Sequence, residues 1–213
     1  MVGLLLIIVR DNVLYEGIIS LKSEKGYYAT PIGFTIRGNN IYIKVYHGSL
    51  THSYLSTIRK TVLNITDNPY IYLYLAFKKE FNGLNKVSFI EVEDNAPVLE
   101  EAKAYAILYL RDIIPCLNYD TFIYNYNTFV TRNPDIEPLS RCNWLAIEAL
   151  IYLTKLFKIR DSGVEVSNMK TYLNHVFRIM ERLCNDPYHK ELVNNLFKLY
   201  ISISGNHNNN YLF

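Results

Sequence analysis

The stretch YYATPIGFTIRGNNIYIKVYHGSLT, residues 27–51, decides the fold, because it contains two strand patterns around a tight turn. β-Branched and aromatic residues fill Tyr27–Ile36, and Gly38-Asn39-Asn40 then gives a strong turn signal. Ile41–Tyr46 alternates cleanly after the turn, which puts its aliphatic side chains on one face and Tyr42, Lys44 and Tyr46 on the other. The stretch therefore predicts an antiparallel hairpin.

Similar patterns surround the hairpin in the first 130 residues. Strands are predicted over Val2–Val9, which ends at a turn at Asp11-Asn12, and over Val13–Leu21, Thr61–Thr66, Val87–Val92 and Thr121–Val130. Short helices are predicted over Thr51–Arg59 and Val98–Ala104, the second with Pro97 in its first turn. Periodicity leaves Tyr105–Ile114 open between helix and strand.

The pattern becomes helical from about Pro138. Trp144–Phe157 is apolar on nearly every side, so we expect this helix to be largely buried. Met169, Leu173, Val176, Phe177 and Met180 follow the spacing of a helix with one buried face. The fold class is therefore α+β, with a β-rich body followed by a helical C-terminal part.

Composition and charge exclude several classes of protein. The 213 residues are 50% hydrophobic and 20% charged, which excludes a disordered chain. The 22 basic and 20 acidic side chains give a net charge of +2 with no basic segment, so we expect no nucleic-acid partner. The apolar run Val2–Val9 is far shorter than the ~20 residues that cross a bilayer, so we expect no membrane association.

Cysteine and histidine spacing gives no metal or disulfide signature. Cys116, Cys142 and Cys184 are far apart and odd in number, and without a secretory signal they predict free thiols in a reducing cytoplasm. None of the five histidines forms an i, i+4 pair, so no metal site is predicted. The sequence also contains no nucleophile elbow, phosphate-binding glycine loop or dinucleotide-binding fingerprint. Its catalytic residues therefore stay unknown.

The segment KVYHGSLT, residues 44–51, has two interpretations. Lys44, the hydroxyls of Ser49 and Thr51, and the backbone amides at the start of the next helix would suit an anion such as phosphate. In the alternative, Ser49 or Thr51 simply caps that helix, which is the commoner role of these residue types.

Four segments in this order resemble a known family: LYEGIIS (14–20), YATPIGF (28–34), YHGSLTHSYL (46–55) and VLNITDNP (62–69). The chain looks like a member of the largely archaeal flavin-binding split-barrel family known as domain of unknown function 447. The resemblance continues at Ala96-Pro97 and reaches the helix that starts at Arg141. No single motif is specific, but their order and spacing are.

The resemblance implies an FMN-binding split β-barrel with a C-terminal helical extension. The barrel would occupy residues 1–135 and the helices residues 136–205, with a disordered tail over 206–213. Flavin would lie near a homodimer interface in a cytoplasmic protein. The implied cofactor-binding residues are a strand segment along the flavin ring, a phosphate turn and a polar neighbour, namely Thr30, Pro31, Ile32, Gly33, Ser49, Thr51 and Asn64. Lys44 is our addition, because its strand face would bring positive charge to the phosphate.

The resemblance leaves the activity open between classes. The first is an FMN-dependent oxidoreductase or an NAD(P)H-linked flavin reductase, and some family members are associated with pterin synthesis, so a pterin-like substrate is one option. The second is a flavin carrier, store or sensor without turnover. A third is a structural dimer that has lost its flavin. Split barrels host more than one of these, so the fold alone does not choose between them.

Overall fold

The computed structural model describes residues 9–132, 138–159 and 166–204. Within it the chain forms two compact units, of which the first ends at Leu139 and the second begins at Ser140. The predicted strand Val2–Val9, except its last residue, and the predicted tail from residue 206 lie outside the described residues.

The first unit is built mainly from strands. They are β1 (Tyr15–Ser23), β2 (Gly26–Arg37), β3 (Asn40–Tyr46), β4 (Lys60–Ile65), β5 (Phe89–Val92), β6 (Ala96–Leu99), β7 (Ala104–Pro115), β8 (Tyr119–Tyr126) and β9 (Val130–Thr131). The two-residue strand β10 (Leu139–Ser140) lies at the division between the units. The short helices of the first unit are α1 (Leu50–Thr57), α2 (Pro69–Ala76) and α3 (Lys78–Phe81). The second unit contains α4 (Arg141–Ile159), α5 (Val166–Leu183) and α6 (Pro187–Ser204).

Six strands form a closed antiparallel barrel. The strand order is β1-β2-β3-β8-β7-β4, and β4 pairs back onto β1, so the sheet closes on itself. The predicted hairpin is confirmed as β2 and β3, joined through Gly38, whose φ of 54° glycine adopts without strain. The inward side chains form one core around the fully buried rings of Tyr15, Phe34, Phe122 and Tyr124. The predicted α+β class is confirmed.

A second, smaller core lies on the outside of the barrel. There α2 and the β5–β6 hairpin cover the outward side chains of Ile18, Ala29 and Val62. The predicted helix over Val98–Ala104 is wrong, because Ala96–Leu99 is a strand that pairs with β5 and buries all four side chains. A proline in the first turn suits a helix start, but it also suits a short two-stranded hairpin of this kind.

The helical unit has its own core, in which α4 packs against α5 and α6. Leu173, Val176, Phe177 and Met180 are buried along one face of α5, as predicted. The prediction that α4 is largely buried is wrong, since Trp144 is 61% exposed and Ile147 is 54% exposed. Its two neighbouring helices cover only one face of α4, and an all-apolar sequence does not indicate which face that is.

The prediction of free cysteines is wrong for two of the three. Cys142, near the start of α4, and Cys184, just after α5, form a disulfide with a Cα–Cα distance of 5.6 Å. The pair is 42 residues apart in sequence, but α4 and α5 pack together and bring these positions side by side. Cys116 is free and partly buried. None of the described helices is long and apolar enough to cross a membrane.

Candidate functional site

The barrel has an opening where β2 and β3 separate. β2 is twelve residues long, but it pairs with β3 only from Phe34 to Arg37. Beyond that point β3 continues along β8 as far as Tyr46, while Thr30–Gly33 pairs only with β1 on its other edge. Among the described residues, this four-residue segment therefore has no strand neighbour on the β3 side.

The turns at the two ends of β2 decide which backbone groups face the opening. In antiparallel sheets, alternate residues direct their N–H and C=O groups to opposite neighbours. Tight turns pair Ser23 with Gly26 and Arg37 with Asn40. Gly26 therefore faces β1 and Arg37 faces β3. Because the direction alternates along β2, the N–H and C=O groups of Pro31 and Gly33 point away from β1 into the opening. Within the partly exposed segment Thr30–Gly33, the opening thus offers one N–H, from Gly33, and the carbonyl oxygens of Pro31 and Gly33.

The segment Thr30–Gly33 is partly exposed along its whole length. Ile32 is partly buried and packs against the barrel core, and with Pro31 it gives the unpaired backbone an apolar border. Pro31 occupies a position where its missing N–H costs no ladder hydrogen bond. The predicted ring-binding residues Thr30, Pro31, Ile32 and Gly33 are therefore adjacent and accessible.

The turn after β3 holds Ser49 and Thr51. Gly48 has a φ of 77°, and Ser49 follows it as the N-cap of α1. The Ser49 hydroxyl accepts a hydrogen bond from the His52 backbone N–H at 3.1 Å and donates to the Tyr46 carbonyl at 2.9 Å. Ser49 therefore caps the helix, as the alternative interpretation has it, and its role toward an anion stays a prediction.

Thr51 lies deeper than Ser49 and connects the turn to β2. Its side-chain oxygen is 2.8 Å from the hydroxyl of Tyr28, in a buried hydrogen bond. The ring of Tyr54 packs edge-on against the Tyr28 ring, with centroids 4.9 Å apart. This contact joins the predicted phosphate turn to the strand that carries Thr30–Gly33.

Two lysines lie near β2 and the turn after β3, and only Lys44 was predicted from the sequence. The Lys44 ammonium is exposed and lies 5.4 Å from the ring centroid of Tyr119. Lys78, the first residue of α3, is partly buried with its ammonium 4.7 Å from the ring centroid of Tyr28. Burial lowers the pKa of Lys78, and no carboxylate pairs with it among the described residues.

Lys78 is therefore a cation beside the Tyr28–Thr51 pair that sequence reasoning missed. The only signal was two consecutive lysines after an apolar segment, and nothing in that pattern connects them to a turn about 30 positions earlier. A partly buried ammonium without an acidic partner retains attraction for an anion that reaches it.

Asn64 is placed differently from the other predicted residues. Its side chain is fully buried, and its amide donates to the Ile18 carbonyl at 3.0 Å and to the Ser20 hydroxyl at 2.8 Å. Its carbonyl oxygen accepts from the Leu99 N–H at 2.9 Å. These bonds tie β1, β4 and β6 together, and β1 separates Asn64 from Pro31 in the sheet. The structure thus gives Asn64 a stabilising role, and contact with a cofactor stays a prediction.

Solved structures identify the class of fold. The flavin reductase HpaC complexed with NADP⁺ has a TM-score of 0.54 and 16% identity, covering 62% of this chain and 86% of its own. The NADH:FAD oxidoreductase SgcE6 of Streptomyces globisporus C-1027, in complex with NAD and FAD fragments, has a TM-score of 0.50 and 12% identity, with coverages of 57% and 76%. The chain therefore has the flavin reductase-like split-barrel fold, and that prediction is confirmed.

The family follows from the sequence. Residues 15–126, more than half of the chain, match the sequence model of a protein family, the N-terminal domain of DUF447 (protein of unknown function). The chain therefore belongs to this family. The solved FMN-bound protein MM1853 from Methanosarcina mazei, also assigned to DUF447, is similar over 90% of this chain and 96% of its own, with 18% identity and a TM-score of 0.51. No curated protein matches the sequence.

Proposed function

We propose that this chain binds FMN at the opening between β2 and β3 and acts as an FMN-dependent oxidoreductase or an NAD(P)H-linked flavin reductase. The observation that carries the proposal is the unpaired backbone of Pro31 and Gly33 beside a partly exposed apolar border. Support comes from MM1853, a relative of the same family whose structure contains FMN.

The ring end of FMN fits the chemistry of the opening. Isoalloxazine is flat and apolar over most of its area, and its pyrimidine edge carries both carbonyl oxygens and an N–H. One N–H from Gly33 and carbonyls from Pro31 and Gly33 complement such an edge, while Ile32 supplies apolar surface. Bound flavin would supply hydride transfer, so the chain needs no nucleophile of its own.

The phosphate end fits the turn after β3. A phosphate dianion requires several donors and nearby positive charge. The Ser49 and Thr51 hydroxyls, which bond Tyr46 and Tyr28 in this structure, would turn to the phosphate beside the first backbone amides of α1. Lys44 and Lys78 would supply positive charge. Of the two lysines, Lys78 is the stronger candidate, since it is partly buried and contacts Tyr28, the partner of Thr51.

The electron donor and the assembly are also proposals. HpaC and SgcE6 were solved with NADP⁺ and with NAD fragments, which supports a nicotinamide donor here. We propose a homodimer with the flavin near the subunit interface and, as one option, a pterin-like substrate. The alternative is a flavin carrier, store or sensor, which would use the same site without turnover. The cytoplasmic location stays a prediction, because the Cys142–Cys184 disulfide removes the free thiols from which it was inferred.

Titration of the purified full-length chain with FMN and with riboflavin tests the proposal. We expect FMN to bind and Lys78→Met to weaken it about tenfold to a hundredfold, since a hydrogen bond to a charged group contributes about 1.5–3 kcal/mol. Riboflavin has no phosphate, so its affinity should stay unchanged in the same variant. Lys79→Met is the matched control, because Lys79 is the exposed neighbour in the chain. A chain that binds neither FMN nor riboflavin would overturn the proposal.

Ser49→Ala combined with Thr51→Ala tests the hydroxyls. We expect FMN affinity to fall more than stability, although loss of the Ser49 cap alone costs about 1 kcal/mol. Circular dichroism checks the fold of this double variant. An unchanged FMN dissociation constant would remove the phosphate assignment.

Anaerobic mixing of the FMN-loaded protein with NADH or NADPH separates enzyme from carrier. Bleaching of the flavin absorbance by either nucleotide supports the reductase. Flavin that binds but stays oxidised with both supports the carrier, store or sensor. Light scattering on the same sample measures whether the chain is a dimer.

A further inference from the structure

Three side chains that can bind a metal ion meet at one end of the barrel. They are His47, His52 and Asp120, and their ligand atoms all lie within 4.8 Å of one another. The Nε2 atoms of His47 and His52 are each 2.9 Å from a different oxygen of the Asp120 carboxylate. The carboxylate thus lies between two imidazoles, whose ring centroids are 5.0 Å apart.

Regular structure fixes the backbone of all three residues. His47 follows β3, and its N–H donates to the Asn118 carbonyl, which extends the pairing of β3 with β8. Asp120 is the second residue of β8, and Val45 is its register partner. His52 is in the first turn of α1, where its N–H donates to the Ser49 cap. Regular structure therefore holds the backbone of all three residues close together, and only their side chains need to adjust around an ion.

We propose that His47, His52 and Asp120 bind one divalent first-row transition-metal ion, of which Zn²⁺ is the reference case. Two imidazole nitrogens and a carboxylate oxygen are ligands that zinc, nickel, cobalt and iron accept, whereas magnesium and calcium prefer oxygen ligands alone. Cis ligands at about 2.0–2.2 Å from such an ion lie about 3 Å apart, close to the two 2.9 Å contacts.

The site is also open on one side. The His47 side chain is 42% exposed, that of His52 22% and that of Asp120 16%. Three protein ligands leave at least one coordination position for water or a small anion. The exposed side of the three side chains gives an ion a path from solvent. The two histidines are five positions apart, so the i, i+4 criterion applied to the sequence did not find them.

The site does not depend on flavin. Its side chains belong to the end of β3, the start of β8 and one turn of α1, and none of them is among the residues proposed to hold FMN. Zinc binding is measured on flavin-free protein, because His52 lies in the same turn as Ser49 and Thr51, and the two titrations can then fail separately.

Calorimetric titration of Zn²⁺ into the tag-free, chelator-treated full-length chain tests the proposal. We expect one equivalent to bind, and His47→Ala and Asp120→Asn each to weaken binding at least about tenfold, since even outer-shell partners of metal ligands contribute tenfold or more. Co²⁺ provides a second readout, because visible absorption bands report its coordination by the protein.

His175→Ala is the matched control, because His175 is an exposed histidine on α5 in the other unit. We expect it to bind zinc like the unmodified chain. Circular dichroism verifies the fold of each variant. His47→Ala is the most informative variant, because His47 is exposed and its replacement is expected to leave the fold intact. Absence of saturable one-to-one binding, or equal affinity in His47→Ala and His175→Ala, would overturn the proposal.

Discussion

Replacing Asn64 by alanine tests whether this residue stabilises the barrel or contacts a cofactor. In the structure its side chain makes three buried hydrogen bonds, to Ile18, Ser20 and Leu99. The Ser20 hydroxyl in turn donates to the Pro97 carbonyl, so a single network joins β1, β4 and β6. Asn64→Ala removes the centre of this network, in which every group is buried.

The expected cost follows from the groups left without a partner. The Leu99 N–H and the Ile18 carbonyl lose the Asn64 side chain as a partner in a buried environment, and each such loss costs about 1–3 kcal/mol. Ser20 keeps its bond to Pro97 and contributes less. We therefore expect the free energy of unfolding of the barrel to fall by about 3 kcal/mol.

Urea unfolding followed by tyrosine circular dichroism measures this change, and hydrogen exchange at the Leu99 amide localises it. The sole tryptophan, Trp144, lies in the helical unit, so its fluorescence reports that unit separately. Asn85→Ala is the control, because Asn85 is exposed and makes one side-chain bond to Asn82; we expect a change within about 0.5 kcal/mol.

Stability unchanged within 1 kcal/mol in Asn64→Ala would refute the reasoning from the network. If the same variant instead lost FMN affinity at unchanged stability, Asn64 would be a cofactor contact, as the family resemblance implies.

Two further predictions concern close packing and the covalent link. Gly17→Ala should destabilise the barrel by about 1–3 kcal/mol in urea unfolding, because the added Cβ would lie 2.8 Å from Leu63 Cδ1. An unchanged free energy of unfolding would contradict this, since it would mean that the Leu63 side chain moves aside without cost. Non-reducing peptide mapping should recover Cys142 linked to Cys184, and reduction should destabilise the helical unit by up to about 4 kcal/mol from loop entropy; two free thiols in the purified protein would contradict this.

The parts of the fold that the sequence predicted depend on local interactions. The β2–β3 hairpin was predictable because its turn and its alternation lie within 20 residues. Val98–Ala104 was misassigned because β6 is a strand only through its pairing with β5, and a four-residue buried run looks the same in either state. The disulfide was missed for a related reason, since 42 residues separate two cysteines that helix packing brings together.

In the candidate site, too, the residues that the sequence predicted lie in continuous segments, and those that it missed depend on tertiary packing. Thr30–Gly33 and the turn at Ser49 were found because each is a continuous segment with a recognisable pattern. Lys78 was missed because its relation to Tyr28 exists only once α2 and α3 have packed beside β2. Asn64 was found from a motif, but the motif does not distinguish a residue that contacts a ligand from one that holds strands together.

The unpaired edge of β2 has a physical consequence for binding. Closing a sheet into a barrel removes its edges, so the stretch Gly26–Gly33, which has no strand neighbour on the β3 side among the described residues, is an exception inside an otherwise closed structure. An open edge can pair with another strand, but Pro31 has no backbone N–H to donate to the hydrogen-bond ladder of such a pair. Thr30–Gly33 keeps one N–H and two carbonyls on this side, and these are the groups that we propose to bind the edge of the flavin ring. Pro31 therefore hinders strand addition at this edge, which keeps the edge accessible to the FMN that we propose to bind there.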